Sequence, residues 1–288
     1  MMRIPRLLRA TVAAVAVALT AACGGGDNDD KPAVNNMAAS AAYGRDAVWT
    51  VSGLNLDRGI GLTITSGTCD GLTEVPGGTA FTRRFSCIPR SLGDLVAQVN
   101  DAGGSRIATL RVVIPKPVVQ LDVDQGTIDL ELDPAAAPVT VQNFLDYANG
   151  GFYDNTIFHR VIAGFVIQGG GYSPGTPESP DPSFVPPTQP PIPLESNNGL
   201  SNLRGTLAMA RTLEPNSATS QFYINVVDNP ELDYRSEQQP GYAVFGRVTA
   251  GLELVDAISV VPTRSVPSLG LTHLPVTDVV VLGAFQIK

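Results

Sequence analysis

Short apolar stretches separated by glycine and proline recur along most of this chain, and they limit its fold more than any other feature. In runs such as residues 47–51 and 61–65, apolar residues alternate with small or polar ones. This two-residue period is typical of a strand with one buried face. The 29 glycines and 23 prolines are frequent enough to end such runs after a few residues. The chain is therefore predicted to be mainly β.

Two prolines flanking Lys116 divide the chain. Proline lacks a backbone N–H, so a strand ladder cannot continue through this segment. Before it, the alternating runs of residues 43–115 predict a small β-sandwich. After it, residues 118–288 are predicted to form a closed antiparallel barrel. Helical spacing after Pro138, with Gly150 as a stop signal, and over residues 250–259 predicts two helices that cap this barrel.

The N-terminus has the pattern of an export signal. Arginines at three of the first nine positions precede an apolar run that ends at residue 22 and is too short to span a bilayer comfortably. Residues 1–22 are therefore predicted to be a signal peptide. The segment around Cys23 resembles a bacterial lipoprotein cleavage site, which implies a lipid anchor on Cys23. Thr20 departs from the usual leucine, so secretion with an unmodified Cys23 is the alternative.

The lipoprotein resemblance also implies a location. Residues 23–42 are rich in glycine, aspartate, asparagine and alanine without periodicity, and are predicted to be a flexible tether. Gly24 occupies the position where aspartate often signals retention in the inner membrane. The chain is therefore expected in the periplasm, anchored to the outer membrane.

The remaining cysteines, Cys69 and Cys87, form an even pair, and an oxidising compartment favours a disulfide between them. The two histidines are far apart in sequence and no second cysteine pair exists, so neither a metal nor another cofactor is predicted. Charged residues make up only 16% of the chain and the net charge is −8. This composition excludes the basic surface that nucleic-acid binding requires. The single tryptophan, Trp49, is predicted to lie in the core of the sandwich.

Residues 158–170, Phe-His-Arg-Val-Ile-Ala-Gly-Phe-Val-Ile-Gln-Gly-Gly, strongly resemble the signature of the cyclophilins. Further blocks follow in the family's order: residues 205–211 (Gly-Thr-Leu-Ala-Met-Ala-Arg), 220–224 (Ser-Gln-Phe-Tyr-Ile) and 242–246 (Tyr-Ala-Val-Phe-Gly). The resemblance covers about residues 118–288 and nothing before them. It implies an eight-stranded barrel and peptidyl-prolyl cis-trans isomerase activity on proline-containing exported polypeptides.

The resemblance also implies roles position by position. Arg160 matches the catalytic arginine, and Gln168 matches the glutamine that binds the substrate backbone. The residues that match the proline slot and the adjoining peptide-binding positions are Phe165, Val166, Ala210, Arg211, Gln221, Tyr223, Leu232 and Tyr242. Two positions depart from many eukaryotic members, which have tryptophan where this chain has Glu231 and histidine where it has Tyr242. His159 should point away from Arg160 on a shared strand and is predicted to be structural.

Two other functions compete with catalysis of proline isomerisation. Residues 171–175 satisfy the G-x-S-x-G pattern of serine hydrolases, but Pro174 has no N–H to donate to an oxyanion and the following residues are dense in proline. The stronger alternative is a chaperone module that holds proline-containing segments with little catalysis. In either role the chain is expected to be a monomer.

Overall fold

The structure, a computed structural model, describes residues 30–288 and, as a strand only, residues 14–18. It divides into two compact units, one ending at Lys116 and the other comprising Pro117–Ile287. The predicted lipidation site Cys23 and most of the predicted signal peptide lie outside the described residues. Within the described part of the chain, no helix is long and apolar enough to cross a membrane.

The first unit consists of two antiparallel sheets. Its strands are β1 (Ala14–Ala18), β2 (Ala33–Ala41), β3 (Ala47–Leu54), β4 (Ile60–Ser66), β5 (Cys69–Val75), β6 (Thr82–Pro89), β7 (Gly93–Asp101) and β8 (Arg106–Ile114). One sheet has the order β1-β2-β3-β6-β5 and the other β4-β7-β8. Alternate residues of β3 and of β7 are fully buried, including Trp49 and Ala97. The sandwich prediction and the core position of Trp49 are confirmed.

The ordered part of this unit begins earlier than the predicted start at Tyr43. Strand β2 occupies residues assigned to the flexible tether, and it pairs with β3 in the register Ala39↔Trp49. Val34, Met37 and Ala39 are buried on one face of β2. The tether assignment for residues 33–41 is therefore wrong. The small residues of this segment carry little hydrophobic signal of their own, and burial against neighbouring strands turns them into a strand.

Cys69 and Cys87 form the predicted disulfide. Cys69 begins β5 and Cys87 lies in β6, so the bond joins adjacent strands of the larger sheet. The Cys87 side chain is almost completely buried, which places the bond at the edge of the sandwich core.

The second unit is a closed barrel of eight antiparallel strands with two helices, as predicted. Its elements are β9 (Val118–Val123), β10 (Gly126–Leu132), α1 (Pro138–Asn149), β11 (Thr156–Ile162), β12 (Val166–Gly169), β13 (Tyr172–Ser173), β14 (Ser183–Phe184), β15 (Thr206–Met209), β16 (Phe222–Asn225), β17 (Val244–Ala250), α2 (Leu252–Ser259), β18 (Thr263–Val266), β19 (Leu271–Pro275) and β20 (Val280–Gln286). The barrel order is β10-β17-β15-β16-β12-β11-β20-β9. The pairs β13-β14 and β18-β19 form separate two-stranded sheets.

Helix α1 closes over an aromatic cluster. Its proline lies at the start of the helix, where no N–H is needed. Phe144 on the buried face lies within 5.2–5.4 Å, between ring centroids, of Tyr153, Phe222 and Phe245. This packing connects α1 to β17 and to β16, the strand that carries Tyr223 of the candidate site.

Candidate functional site

The barrel register brings the predicted site residues into one row. Arg160 on β11 is the cross-strand partner of Gln168 on β12, and Gln168 is the partner of Tyr223 on β16. Tyr223 is in turn the partner of Ala208 on β15. Directly paired residues project from the same face of a sheet, so these four side chains form one row. The row has a polar end at Arg160 and Gln168 and an apolar end at Tyr223 and Ala208.

The polar end is a chain of hydrogen bonds. The Arg160 guanidinium donates from Nη1 to Oε1 of Gln168 at 3.3 Å. Gln168 donates from Nε2 to Oε1 of Gln221 at 2.9 Å. Arg160 also lies over the Phe165 ring, 5.8 Å from its centroid. The bond to Gln168 uses one of five guanidinium donors, so the fixed side chain still has donors for a bound molecule.

The apolar end is a cavity of about 330 Å³. Its lining consists of predicted site residues: Arg160, Phe165, Val166, Gln168, Ala210, Arg211, Tyr223, Leu232 and Tyr242. Gln221 is the predicted site residue that does not line it, and it contacts the site through Gln168. Val166 and Tyr223 are almost fully buried at the base of this cavity, which we call the proline slot. An apolar recess beside a cluster of polar donors suits a ring attached to an amide.

Arg211 and Tyr242 form the rim of the slot. The Arg211 guanidinium lies 4.8 Å from the centroid of the Tyr242 ring and donates from Nε to the Gly241 carbonyl at 2.9 Å. The Tyr242 ring meets Tyr223 edge-on at 5.8 Å. These contacts fix the Tyr242 ring at the rim of the slot.

A buried polar network behind the slot holds its walls, and sequence reasoning missed it. The Tyr223 hydroxyl donates to Oδ1 of Asn202 at 2.7 Å. Asn202 donates from its backbone N and from Nδ2 to Oδ1 of Asp233, at 2.7 and 2.9 Å. Asn229 donates from Nδ2 to the Phe165 carbonyl at 3.0 Å. Asn202 lies in a polar stretch with the composition of an ordinary loop and outside the family blocks. No sequence pattern therefore identifies it as part of the site.

The contacts of this network shift the pKa values of Asp233 and Tyr223. Burial alone would raise the pKa of Asp233, but hydrogen bonds from Ser201 and Asn202 outweigh it and lower that pKa below the ordinary value. Burial raises the pKa of Tyr223, so its hydroxyl remains protonated and keeps its proton for Asn202. The slot is therefore supported by an ionised carboxylate and a neutral phenol at neutral pH.

His159 is buried where β11 has a β-bulge, between Phe158 and Arg160, and it interacts with the side chain of Gln221. Its ring lies 4.7 Å from that of Tyr172. Burial lowers the pKa of His159 to about 4, and the adjacent Arg160 charge acts in the same direction. A neutral, buried imidazole agrees with the predicted structural role.

Neither the hydrolase motif nor a metal site gains support from the structure. Ser173 lies in β13, and its hydroxyl donates to the Ser183 carbonyl at 3.4 Å. The next element along the chain is the strand β14, whereas a nucleophile elbow leads into a helix. Among the described residues, no cluster of three or more histidine, cysteine, aspartate or glutamate side chains is placed to hold a metal ion.

Comparison with known proteins agrees with this geometry. Residues 118–284 match the family model described as cyclophilin type peptidyl-prolyl cis-trans isomerase/CLD. The chain is 49% identical over 170 residues to peptidyl-prolyl cis-trans isomerase A of Dickeya dadantii, covering 59% of this chain and 84% of the relative. It is 51% identical over 148 residues to peptidyl-prolyl cis-trans isomerase B of Escherichia coli, covering 51% and 86%. A solved cyclophilin type isomerase from Cryptosporidium parvum aligns at 25% identity over 59% of this chain and 97% of its own, with a TM-score of 0.48.

Proposed function

Because this chain belongs to the cyclophilin-type peptidyl-prolyl cis-trans isomerases, we propose that it isomerises Xaa-Pro bonds of exported polypeptides while they fold. The observation that carries the proposal is the fixed Arg160 guanidinium at the edge of an apolar slot of about 330 Å³. Rotation about a prolyl amide breaks no covalent bond, and the family's activity needs no cofactor. The reaction requires only a site that stabilises the twisted amide.

Arg160 supplies the main stabilisation of that twisted state. Resonance between nitrogen and carbonyl opposes rotation with a barrier of roughly 18–20 kcal/mol. Twisting localises the nitrogen lone pair, which then accepts a hydrogen bond from a cation better than the planar amide does. Arginine stays charged at any relevant pH. One or two such bonds, each contributing about 1.5–3 kcal/mol, accelerate rotation by roughly one to four orders of magnitude.

The other side chains hold in place the groups on either side of the prolyl amide bond. Phe165, Tyr223 and Leu232 grip the ring in the slot, while Gln168 contacts the peptide backbone beside Arg160. With the ring fixed, rotation moves only the carbonyl side of the amide. Positioning of this kind lowers the barrier further because the reacting geometry is assembled before rotation begins.

Three sequence features support a role outside the cytoplasm. Residues 1–22 have the pattern of a signal peptide, Cys23 follows a lipoprotein-like cleavage site, and the first unit contains a disulfide. We propose that cleavage before Cys23 removes residues 1–22, and β1 with them, and that Cys23 attaches the mature protein to the outer membrane on its periplasmic side. There it meets unfolded polypeptides as they emerge, and slow proline isomerisation limits their folding.

The activity is tested by comparing the full chain with Arg160→Ala on a short Xaa-Pro peptide. The substitution is expected to lower kcat/KM about 10²- to 10³-fold, the usual effect of removing one preorganised donor. Arg247→Ala is the matched control, because Arg247 is an exposed barrel arginine paired with Glu131. Equal rates for wild type and Arg160→Ala, both no faster than buffer, would favour the chaperone alternative over catalysis.

The anchor is tested separately with Cys23→Ser. The substituted protein is expected to leave the membrane fraction and to appear in the soluble periplasmic extract, whereas wild type stays with the outer membrane. An unchanged distribution refutes lipidation at Cys23 and leaves the isomerase activity unaffected. Mass spectrometry of the mature N-terminus distinguishes lipidation from ordinary cleavage.

A further inference from the structure

Residues 185–194 of the barrel unit, Val-Pro-Pro-Thr-Gln-Pro-Pro-Ile-Pro-Leu, form a surface stretch in which Val185, Ile192 and Leu194 are half-buried and the other residues are exposed. All five prolines of this proline-rich segment are exposed, as are Thr188 and Gln189 between them. The segment lies outside the helices and outside the barrel strands. It therefore presents to solvent the same chemical group, a prolyl amide, that the enzyme takes as substrate.

The segment is anchored at four of its non-proline residues. Their backbone N–H groups donate as follows: Val185 to the Gly171 carbonyl at 2.9 Å, Gln189 to the Tyr147 hydroxyl at 3.0 Å, Ile192 to the Ala218 carbonyl at 3.0 Å, and Leu194 to Oδ1 of Asn216 at 2.9 Å. Proline has no N–H, so these anchors hold the backbone without engaging the prolines as donors. The result is an extended segment fixed on the barrel with its pyrrolidine rings outward.

Such a segment is a better ligand than a flexible peptide of the same composition. An unfolded peptide loses backbone freedom when it binds, at about 1–2 kcal/mol per residue that becomes fixed. Here the anchors and the proline rings have already restricted the backbone. The segment carries no charged side chain, so its approach to an apolar slot requires no removal of water from an ion.

The anchors also separate the segment from the slot of its own barrel. Its hydrogen-bond partners are Gly171, Tyr147, Ala218 and Asn216, and none of them lines the slot. While these bonds are made, the segment stays on residues that do not line its own slot. A neighbouring molecule meets no such restriction, because it can bring its own slot to the fixed segment.

We propose that the proline-rich segment of one molecule binds in the proline slot of a second copy of this chain, as a competitor of substrate. This inference rests on the proposed isomerase function of the slot. The contact is far smaller than a stable protein interface, so a dissociation constant on the order of 1 mM is expected. Self-recognition then becomes appreciable where the protein is concentrated.

The decisive experiment uses a full-chain variant whose segment is disabled and whose slot is intact. Pro186→Ala, Pro187→Ala, Pro190→Ala and Pro191→Ala are combined, and the variant is labelled with ¹⁵N. Its backbone signals are followed while unlabelled wild type is added to about 1 mM, near the expected dissociation constant. The matched titration adds the unlabelled quadruple variant instead.

Wild type is expected to shift the signals of Phe165, Gln168 and Tyr242, with about half of the slots occupied at the highest concentration. The quadruple variant is expected to shift none of them. Absence of shifts with wild type overturns the proposal, and so do shifts confined to surfaces away from the slot. The labelled variant must retain wild-type isomerase activity and unfolding midpoint, which verifies that its slot is intact.

A second measurement separates this proposal from the proposed function. A blocked peptide of residues 183–194 is added to the isomerisation assay of a reporter peptide. Because the free peptide must also be ordered when it binds, its dissociation constant should be larger, on the order of 10 mM. At about 10 mM it should roughly double the apparent KM of the reporter, and a version with all five prolines changed to alanine should leave it unchanged. An unchanged KM with the proline peptide sinks self-recognition alone. Absence of reporter isomerisation before any peptide is added contradicts the isomerase function itself.

Discussion

Asn202 is the residue on which the walls of the proline slot converge. It accepts from the Tyr223 hydroxyl and donates twice to Asp233, and it is fully buried. Asp233 directly follows Leu232, which also lines the slot. Asn202 therefore connects two parts of the slot that lie 21 and 31 residues from it in sequence. Buried networks of this kind are stabilising only when every member is satisfied.

Asn202→Ala is expected to destabilise the barrel unit by about 1–3 kcal/mol, because it leaves the buried Tyr223 hydroxyl without its acceptor and removes the side-chain bond to Asp233. The backbone N–H of residue 202 still donates to Asp233. The slot should loosen as well, so KM for a proline peptide should rise more than kcat falls. Urea unfolding and steady-state kinetics measure the two effects. Asn149→Ala is the control, since the bond of Asn149 to Gln286 lies away from the slot. Equal effects of both substitutions would contradict the special role of Asn202.

His159 should make stability depend on pH. Its pKa is about 4 in the folded chain and about 6.5 when unfolded, so the unfolded state binds the proton more readily between these values. The stabilisation from a neutral His159 is complete above about pH 6.5. It decreases as pH falls, with a total loss on the order of 3 kcal/mol by about pH 4.

Urea unfolding of wild type and His159→Gln at several pH values checks this dependence. The variant has no imidazole to titrate, so its free energy of unfolding should fall less steeply between pH 6.5 and 4. Parallel curves for the two proteins would show that the pKa of His159 is the same in the folded and unfolded states, which contradicts this prediction.

At the scale of elements, α1 receives its N-terminal cap from outside the helix. Ala137 at the N-cap position makes no side-chain cap bond. The Glu195 carboxylate instead accepts from the backbone N of Val139 at 3.2 Å and from the backbone N and hydroxyl of Thr140 at 2.8 and 2.7 Å. A negative charge at this end of a helix also interacts favourably with the helix dipole.

Glu195→Ala should therefore destabilise the barrel unit by about 1–2 kcal/mol, the usual cost of losing a cap. Glu195→Gln, which keeps one acceptor oxygen without the charge, should lie between wild type and the alanine variant. Thermal unfolding followed by circular dichroism provides the comparison. An alanine variant as stable as wild type would mean that water replaces the carboxylate at no cost.

At the scale of the whole molecule, the disulfide and the isomerase site belong to different compact units. Removing the disulfide with Cys69→Ala and Cys87→Ala should destabilise the first unit by roughly 3 kcal/mol, since the bond closes a loop between residues separated by 18 positions. The kcat/KM for a short proline peptide should not change. A parallel loss of activity in the folded protein would show that the first unit supports catalysis.

Local sequence patterns were enough to predict the mainly β class and the barrel with its two helices. The cysteine count predicted the disulfide, and the family resemblance predicted the residues that line the slot. Strand alternation and helical spacing are local properties, and the family blocks around Arg160 and Tyr223 are contiguous in sequence. For the strands, the helices and the family blocks, residues adjacent in sequence therefore contain the information needed for the prediction.

Other features could not be predicted, because they depend on contacts between residues far apart in sequence. Residues 33–41 read as a tether because alanine and asparagine carry little strand signal, yet pairing with β3 buries one face of β2. Asn202 and Glu195 have the sequence context of ordinary loop residues. In the folded protein Asn202 accepts a hydrogen bond from Tyr223, and Glu195 accepts one from the first turn of α1. Their roles are hydrogen bonds across long sequence separations, and such bonds exist only once the barrel has closed.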